Sequence, residues 1–326
     1  MAKKKQHYSG IGGQAVLEGV MMRNKNTLAV AVRKPDHEIE VELEEYHGIL
    51  ENTIWRKIPV IRGVLAFIDS MVVGMKSMNF ASSFIDEEDE GTARTQREQD
   101  SDSRKETAMT AVVTVISLVL AVGLFMVLPY FLSTLLAGWI RNTSLMAILE
   151  GLIRLAIFLL YIVAISLMKD IKRLYMYHGA EHKCINCIEH GYPLTLEYVR
   201  RSSRFHKRCG SSFLVLVIVI SVILFFFIRV GNPAMRLVIR LLLVPLIAGI
   251  SFEIIQFAGR SDSIPAKILS APGILLQHLT TKEPTKGMIL VGIAATEAAF
   301  DWKKYLVEEF GRSMDELDRI TEEAYS

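Results

Sequence analysis

Disulfide staples, a secretion signal, internal repeats and a strong net charge are all missing from this sequence. Its three cysteines, an odd number, exclude a disulfide framework of the secreted kind and point to thiol or metal chemistry in a reducing compartment. The basic start, MAKKKQHYSG, is followed by no apolar run, so no cleaved signal peptide is expected. No segment repeats at a solenoid period. A formal net charge of +2 gives no support for nucleic-acid binding, and no such partner is predicted. The glycine-rich residues 9–24 (SGIGGQAVLEGVMMRN) lack the lysine of a P-loop and read as turns or close backbone approaches. Nor is there a G-x-S-x-G elbow, so Ser211 and Ser212 read as caps of the helix that follows them.

What is plentiful is apolar side chain, and it is bunched. Hydrophobic residues make up 51% of the chain, and the mean hydropathy is +0.32. The excess falls in four runs: Ala108–Trp139, Leu145–Met168, Phe213–Ile228 with its flanks, and Leu237–Ala258. The first can span a hydrocarbon layer of roughly 30 Å at about 1.5 Å per residue, with Pro129 as a kink or an end. Glu150 and Arg154, four apart in the second run, are placed to neutralise each other inside a helix bundle. A short connection, Arg229–Arg236, joins the third and fourth runs.

Orientation follows from the basic residues. Residues 169–210 carry Lys169, Lys172, Arg173, Lys183, Arg200, Arg201, Arg204, Lys207 and Arg208, while the opposite loops offer Arg141, Arg229 and Arg236. The positive-inside rule then puts residues 169–210, and with four spans both termini, in the cytosol. Thr27–Arg33 and Glu38–Glu45 alternate apolar and polar residues about Lys34-Pro35-Asp36-His37, which predicts a hairpin. In residues 59–84, Arg62, Asp69 and Lys76 recur every seven positions and share one helical face. Such a helix either lies in the bilayer interface or packs on the soluble domain. Asp86–Thr107 is almost without apolar side chains and reads as a flexible acidic linker. Met288–Ala295 reads as a strand or buried segment that completes a sheet with the hairpin. Residues 296–326 read as one or two amphipathic helices.

Between the second and third runs the chain gathers its metal-ligating side chains. Tyr177 to Ser212 contains all three cysteines, Cys184, Cys187 and Cys209, together with His178, His182, His190 and His206. His178-Gly179-Ala180-Glu181-His182 is an H-x-x-E-H pattern. On a helix continuing from the second span it points two imidazoles the same way, with Glu181 near as a general base. Glu253, at the cytosolic end of the fourth run, is the expected third ligand of such a catalytic site. A competing site uses Cys184-x-x-Cys187 and His206-x-x-Cys209, whose separation falls within the range of about 15–20 residues between zinc-ribbon pairs. A closed Cys₃His site of that kind is structural.

With GGQAVLEGVMMR at 12–23, YHGAEHK at 177–183, HKRCGSSF at 206–213 and APGILLQHLTTKEP at 271–284, the chain resembles the YqhQ-like family of bacterial membrane proteins. The resemblance spans nearly the whole chain and implies a multi-pass membrane protein described generically as a metal-dependent enzyme, with no reaction attached. The family pattern has proline where Lys207 stands and no cysteine at Cys184. That moves the expectation from a Cys₃His site toward a mixed pool of His178, His182, Cys187, His206 and Cys209.

The expected architecture is an α-helical membrane protein with about four transmembrane helices and a small cytosolic α+β domain built from the N- and C-terminal regions. Residues 1–85 form the β-hairpin and interfacial helix, and 86–107 the linker. Residues 108–168 and 211–258 are the two transmembrane pairs, 169–210 the cytosolic His/Cys loop, and 259–326 the C-terminal region. The expected location is the cytoplasmic membrane. The expected cofactor is a divalent metal, zinc first, and the partners are the lipid bilayer and membrane or cytosolic proteins. The function read from this pattern is a metal-dependent hydrolase. The alternative is a non-enzymatic, metal-stabilised scaffold that binds partner proteins.

Overall fold

A four-stranded antiparallel meander, its two central strands apolar and buried along most of their length, lies in the computed structural model, which describes residues 6–86, 112–136, 138–140, 142–228, 230, 232–261 and 263–325. The strands are β1 (Ile11–Val16), β2 (Gly19–Asn24), β3 (Thr27–Arg33) and β4 (Ile39–Glu45), in the order β1-β2-β3-β4. The predicted β3–β4 hairpin is present. The glycine-rich start is a pair of strands, not a set of turns, and Glu18 and Lys25 take the left-handed positions in its two tight connections. The acidic linker expected at 86–107 lies, from residue 87 on, outside the described residues.

The helices are α1 (Ile61–Asp86), α2 (Val112–Leu135), α3 (Thr143–Ser166), α4 (Lys169–Glu189), α5 (Leu196–Arg201) and α6 (Gly210–Phe227). They continue with α7 (Pro233–Arg260), α8 (Ile264–Thr280), α9 (Lys286–Ala299), α10 (Trp302–Phe310) and α11 (Met314–Tyr325). Of the two readings of Met288–Ala295, the buried segment holds and the strand does not: it lies within α9, whose buried residues recur at helical spacing and pack on the sheet. Residues 169–210 are not mainly loop, because α4 takes up half of them. Nor does α4 continue α3, since Met168 is extended and breaks the helix between them.

The chain divides into two units. The first comprises Met1–Ile85, Ile165–Leu216 and Ala248–Ser326. Its sheet is covered on both faces. Ile11, Val20, Met22, Ala29 and Ala31 share a core with Tyr177, Ala180, Cys184 and Ile188 of α4 and with Ile289, Ile293 and others of α9. On the opposite face Val16, Met21, Leu28, Val30 and Val32 meet Val73 and Ala81 of α1. Burying each of the Val, Leu, Ile and Met side chains among them contributes about 1.5–3 kcal/mol. The three charges of α1 do not point together to water. Asp69 is buried, accepting from Tyr46 and the Ile49 amide and pairing with Arg56, while Lys76 reaches Glu44 and Arg62 reaches Glu253.

The second unit comprises Asp86–Ala164 and Val217–Ile247. The expected pairing of Glu150 with Arg154 is there, at 3.0 Å. Arg240 joins it with a second, bidentate grip on the same carboxylate. Arg154 also donates to Ser221 Oγ at 3.2 Å and to the Phe125 carbonyl at 3.0 Å. Phe125 sits in a π-helical turn, Gly123–Val127, and Pro129 lies inside the described helix just beyond it.

Five helices are long and apolar enough to cross a membrane, which suggests a membrane protein. Four of them are the expected ones. The fifth, Ile61–Phe84, belongs to α1 and is the least apolar of the set.

Candidate metal centre

One helix face supplies most of the site. On α4, His178 and His182 are one turn apart and their ring centroids are 4.3 Å from each other. Cys209 comes from the segment that leads into α6. One ligand atom from each of His178, His182 and Cys209 can be chosen such that all three lie within 4.8 Å of one another.

That segment is held against α4 by donors spaced along the helix. His182 Nδ1 donates to the Arg204 carbonyl (2.6 Å), and Lys183 Nζ to those of Arg200 (2.8 Å) and Ser202 (3.0 Å). Asn186 Nδ2 donates to the carbonyls of Ser203 (2.7 Å) and Phe205 (2.9 Å). From α8, the Gln277 amide accepts from His206 N–H (2.9 Å) and donates to its carbonyl (2.7 Å) and to Ser212 Oγ (3.1 Å). Seven hydrogen bonds from four side chains thus position the backbone just ahead of Cys209. Ser212 bonds Gln277, and Ser211 Oγ lies 3.0 Å from the Cys209 sulfur, so both serines serve the site's framework inside the first turn of α6.

Carbonyl acceptors decide the histidine tautomers. His178 Nδ1 faces the Thr280 carbonyl at 2.8 Å, and His182 Nδ1 faces that of Arg204. A carbonyl can only accept, so each Nδ1 carries the proton and each Nε2 keeps a lone pair in the neutral ring. His178 Nε2 lies 3.0 Å from Cys209 Sγ. His182 Nε2 is buried with no hydrogen-bond partner, and so is Oε2 of the neighbouring Glu181. An orphaned buried acceptor is costly, by about 1–3 kcal/mol. Two imidazoles anchored through Nδ1 to carbonyls, with Nε2 atoms turned toward a thiol, form a donor set that fits a borderline-soft divalent ion such as zinc.

The electrostatics of the cluster favour a thiolate at Cys209. Burial disfavours a thiolate at Cys209, but His178 and then His182 outweigh it and hold the thiol well below its ordinary range. Burial likewise lowers His178, and the Cys209 sulfur more than reverses this, raising it to about 10. Glu181 is pushed up, chiefly by burial. A thiolate paired with one imidazole would also serve as a nucleophile. The partnerless His182 Nε2 favours a shared cation, because a two-residue pair leaves that atom unused.

The other residues singled out in the sequence fall outside the three-residue group, although the His206 ring is 5.7 Å from that of His182. Glu253 is not brought to the cluster: its carboxylate is gripped by the guanidinium of Arg62 and accepts from the Val60 amide, anchoring the start of α1. Val60 has φ 69°, a strained value for a β-branched residue, and that grip helps to hold it. Cys184 and Cys187 are buried in the core as free thiols. Burial raises the Cys184 thiol well above its ordinary value and pushes Cys187 up to about 12. Cys187 faces the Pro193 carbonyl and Cys184 packs near Gly292, so no Cys₃His site forms. His206 Nε2 lies 3.3 Å from Glu189.

Glu189 itself was not anticipated. It also pairs with Arg208 and accepts from Ser9 N–H (3.0 Å), Ser9 Oγ (2.7 Å) and Gln6 Nε2 (2.8 Å). Burial works to raise its pKa, but the bonds and charges of His206 and Arg208 hold it far below the usual carboxylate range. The only sequence signal was an acid at the end of a helix rich in buried positions.

A cavity of about 690 Å³ opens beside the cluster. His178, Glu181 and Cys209 line it together with β1, the apolar side chains Phe67, Phe213 and Phe252, and polar Ser70 and Gln256.

No solved structure matches the chain. The chain is 38% identical over 287 residues to a Bacillus subtilis (strain 168) protein, "Uncharacterized protein YqhQ", covering 86% of this chain and 89% of that one. Residues 58–302 match the family model described as "Protein of unknown function (DUF1385)", a stretch that contains His178, His182 and Cys209, and the chain belongs to that family.

Proposed function

We propose that this protein is a membrane-bound, metal-dependent hydrolase in which His178, His182 and Cys209 hold a zinc ion and Glu181 is the general base. The observation that carries this is the pair of Nδ1-anchored histidines whose Nε2 atoms face Cys209, one of them with no partner of its own. A zinc ion bound there supplies Lewis-acid polarisation and brings the pKa of bound water to about 7. Glu181 takes a proton from the attacking water and delivers it to the leaving atom. Its buried, partly unsatisfied carboxyl, whose pKa burial raises, suits that task. Ser211 orients the Cys209 sulfur, and the apolar wall limits bulk water.

The membrane assignment counts four spanning helices, α2, α3, α6 and α7, with the site and both termini on the cytosolic side, in the cytoplasmic membrane. The apolar length of those helices and the basic residues of the 169–210 segment support it. We leave α1 out of the count because Asp69, Lys76 and Arg62 are each held in an ion pair, its Val73 face is buried on the sheet, and Met71 and Met75 are exposed, as in a helix lying along an interface.

The test is metal analysis of the purified full chain together with a Glu181→Gln variant. The expected result is about one zinc per chain in both, with hydrolysis lost only in the variant. A chain that takes up no zinc after incubation with zinc salt and removal of the excess overturns the proposal. A zinc-loaded chain on which Glu181→Gln has no effect leaves the scaffold alternative, in which the ion serves folding.

A further inference from the structure

Main-chain geometry along β1 carries an inference about substrate, one that rests on the hydrolase reading above. β1 is an edge strand, paired only with β2. Arg33 N–H donates to the Glu18 carbonyl, so Glu18 and Arg33 form a hydrogen-bonded pair between β2 and β3. Alternation along an antiparallel ladder then turns Val20 and Met22 toward β3, and Gly19, Met21 and Arg23 toward β1. Their partners Val16, Gln14 and Gly12 use their main-chain groups on β2. The N–H and C=O groups of Ile11, Gly13 and Ala15 therefore point away from the sheet. Ser9 Oγ accepts from Ile11 N–H.

Ile11, Gly13 and Ala15 are among the residues that line the cavity holding His178, Glu181 and Cys209. Gly13 is the closest approach. A Cβ there would stand 2.8 Å from Glu181 Cγ, so the absence of a side chain lets strand and carboxylate meet. A free strand edge offers alternating donors and acceptors at about 3.3–3.4 Å per residue, a pattern complemented by another extended main chain and by no acyl chain.

We propose that the substrate is an extended polypeptide segment that adds as a strand to the β1 edge, hydrogen-bonding Gly13 and Ala15, with one amide brought to the candidate metal centre. Apolar side chains of that segment lie against Phe67, Phe213 and Phe252. The reaction is amide hydrolysis. Water oxygen bonds to the acyl carbon, the C–N bond breaks, one water proton passes through Glu181 to the leaving nitrogen, and the other leaves the new carboxyl group to solvent.

The test uses the zinc-loaded full chain in detergent micelles and a randomised library of end-blocked decapeptides, with cleavage read by mass spectrometry. A parallel library carries N-methyl groups on alternate amides, which removes the donors a strand edge needs. Ala15→Pro deletes one outward N–H without touching a ladder bond to β2. The expected outcome is cleavage of the plain library and at least tenfold slower cleavage by Ala15→Pro at unchanged zinc content. The same loss is expected on the N-methylated library with the unaltered chain, a comparison that stands even if the proline variant does not fold. No cleavage by a chain that retains its zinc overturns the peptide assignment, as does cleavage insensitive to N-methylation, or hydrolysis of phospholipid vesicles in place of peptides. Failure to bind zinc overturns the hydrolase reading itself and is seen separately.

Discussion

His178 Nε2 lies 3.0 Å from Cys209 Sγ across 31 residues of chain. If this approach serves a metal, the ligand set is His178, His182 and Cys209, and the two core cysteines are bystanders. Cys209→Ser and His182→Gln should each lower zinc affinity at least tenfold, whereas Cys184→Ser and Cys187→Ser should retain about one zinc per chain. Competition with a chromophoric chelator checks all four. Zinc loss in the Cys184 and Cys187 variants with retention in Cys209→Ser would reverse the assignment.

Gly179, between the candidate ligand His178 and the core residue Ala180, has no room to change. A Cβ there would fall 2.1 Å from the Lys282 carbonyl oxygen, a main-chain atom of the segment that also supplies the Thr280 acceptor for His178. Lys282 N–H is itself tied to the Tyr175 carbonyl, so that segment cannot simply swing away. Gly179→Ala, favourable in an ordinary helix by about 1 kcal/mol, should here destabilise by about 1–3 kcal/mol through overpacking. It should also weaken zinc binding by displacing Thr280. Thermal unfolding with and without zinc checks both effects.

Glu189 gives a pH prediction. Its carboxylate is held ionised in the fold, so its stabilisation is complete above the ordinary value of 4.5 and is lost as pH falls below it. His206 works in the same direction, because burial lowers its pKa below 6.5 and the unfolded chain takes up that proton first. Stability should therefore begin to fall as pH drops below about 6.5 and steepen below about 4.5. Glu189→Gln should cost about 3–5 kcal/mol at pH 7 by stranding the largely but not fully buried Arg208, and should flatten the lower part of the profile. Melting temperature against pH for both chains is the measurement. A variant whose profile stays parallel to that of the unaltered chain from pH 7 to pH 4 would remove Glu189 from this role.

Much of the scaffold was legible because it follows periodicity. The four long apolar runs are helices, the β3–β4 hairpin sits on its turn residues, and H-x-x-E-H falls on a helix with both imidazoles on one side. What periodicity could not show was partnership across the chain. Glu253 was assigned to the metal by position along its helix, and Arg62, remote in sequence, took it instead. Cys184 and Cys187 had ligand spacing, but on a continuous helix both point into the core, where thiols are ordinary apolar filler. The glycines of β1 looked like turns because glycine lowers strand propensity. The reason for Gly13 lies in Glu181 and the Met21 carbonyl, which occupy the space a side chain would need there, whereas Gly12 faces open space.

The charges of the second unit make the last prediction. Glu150 sits between Arg154 and Arg240, all three buried, one negative charge against two positive. Removing the acid leaves two uncompensated guanidiniums, whereas removing Arg240 leaves a neutral Glu150–Arg154 pair that keeps its bonds to Ser221 and Phe125. Glu150→Gln should therefore cost about 3–5 kcal/mol. Arg240→Met should cost clearly less, despite deleting a bidentate ion pair. Thermal unfolding of both variants in detergent decides the order. If Arg240→Met proves the more damaging, packing of that side chain against Phe225 and Tyr130, rather than charge balance, governs this cluster.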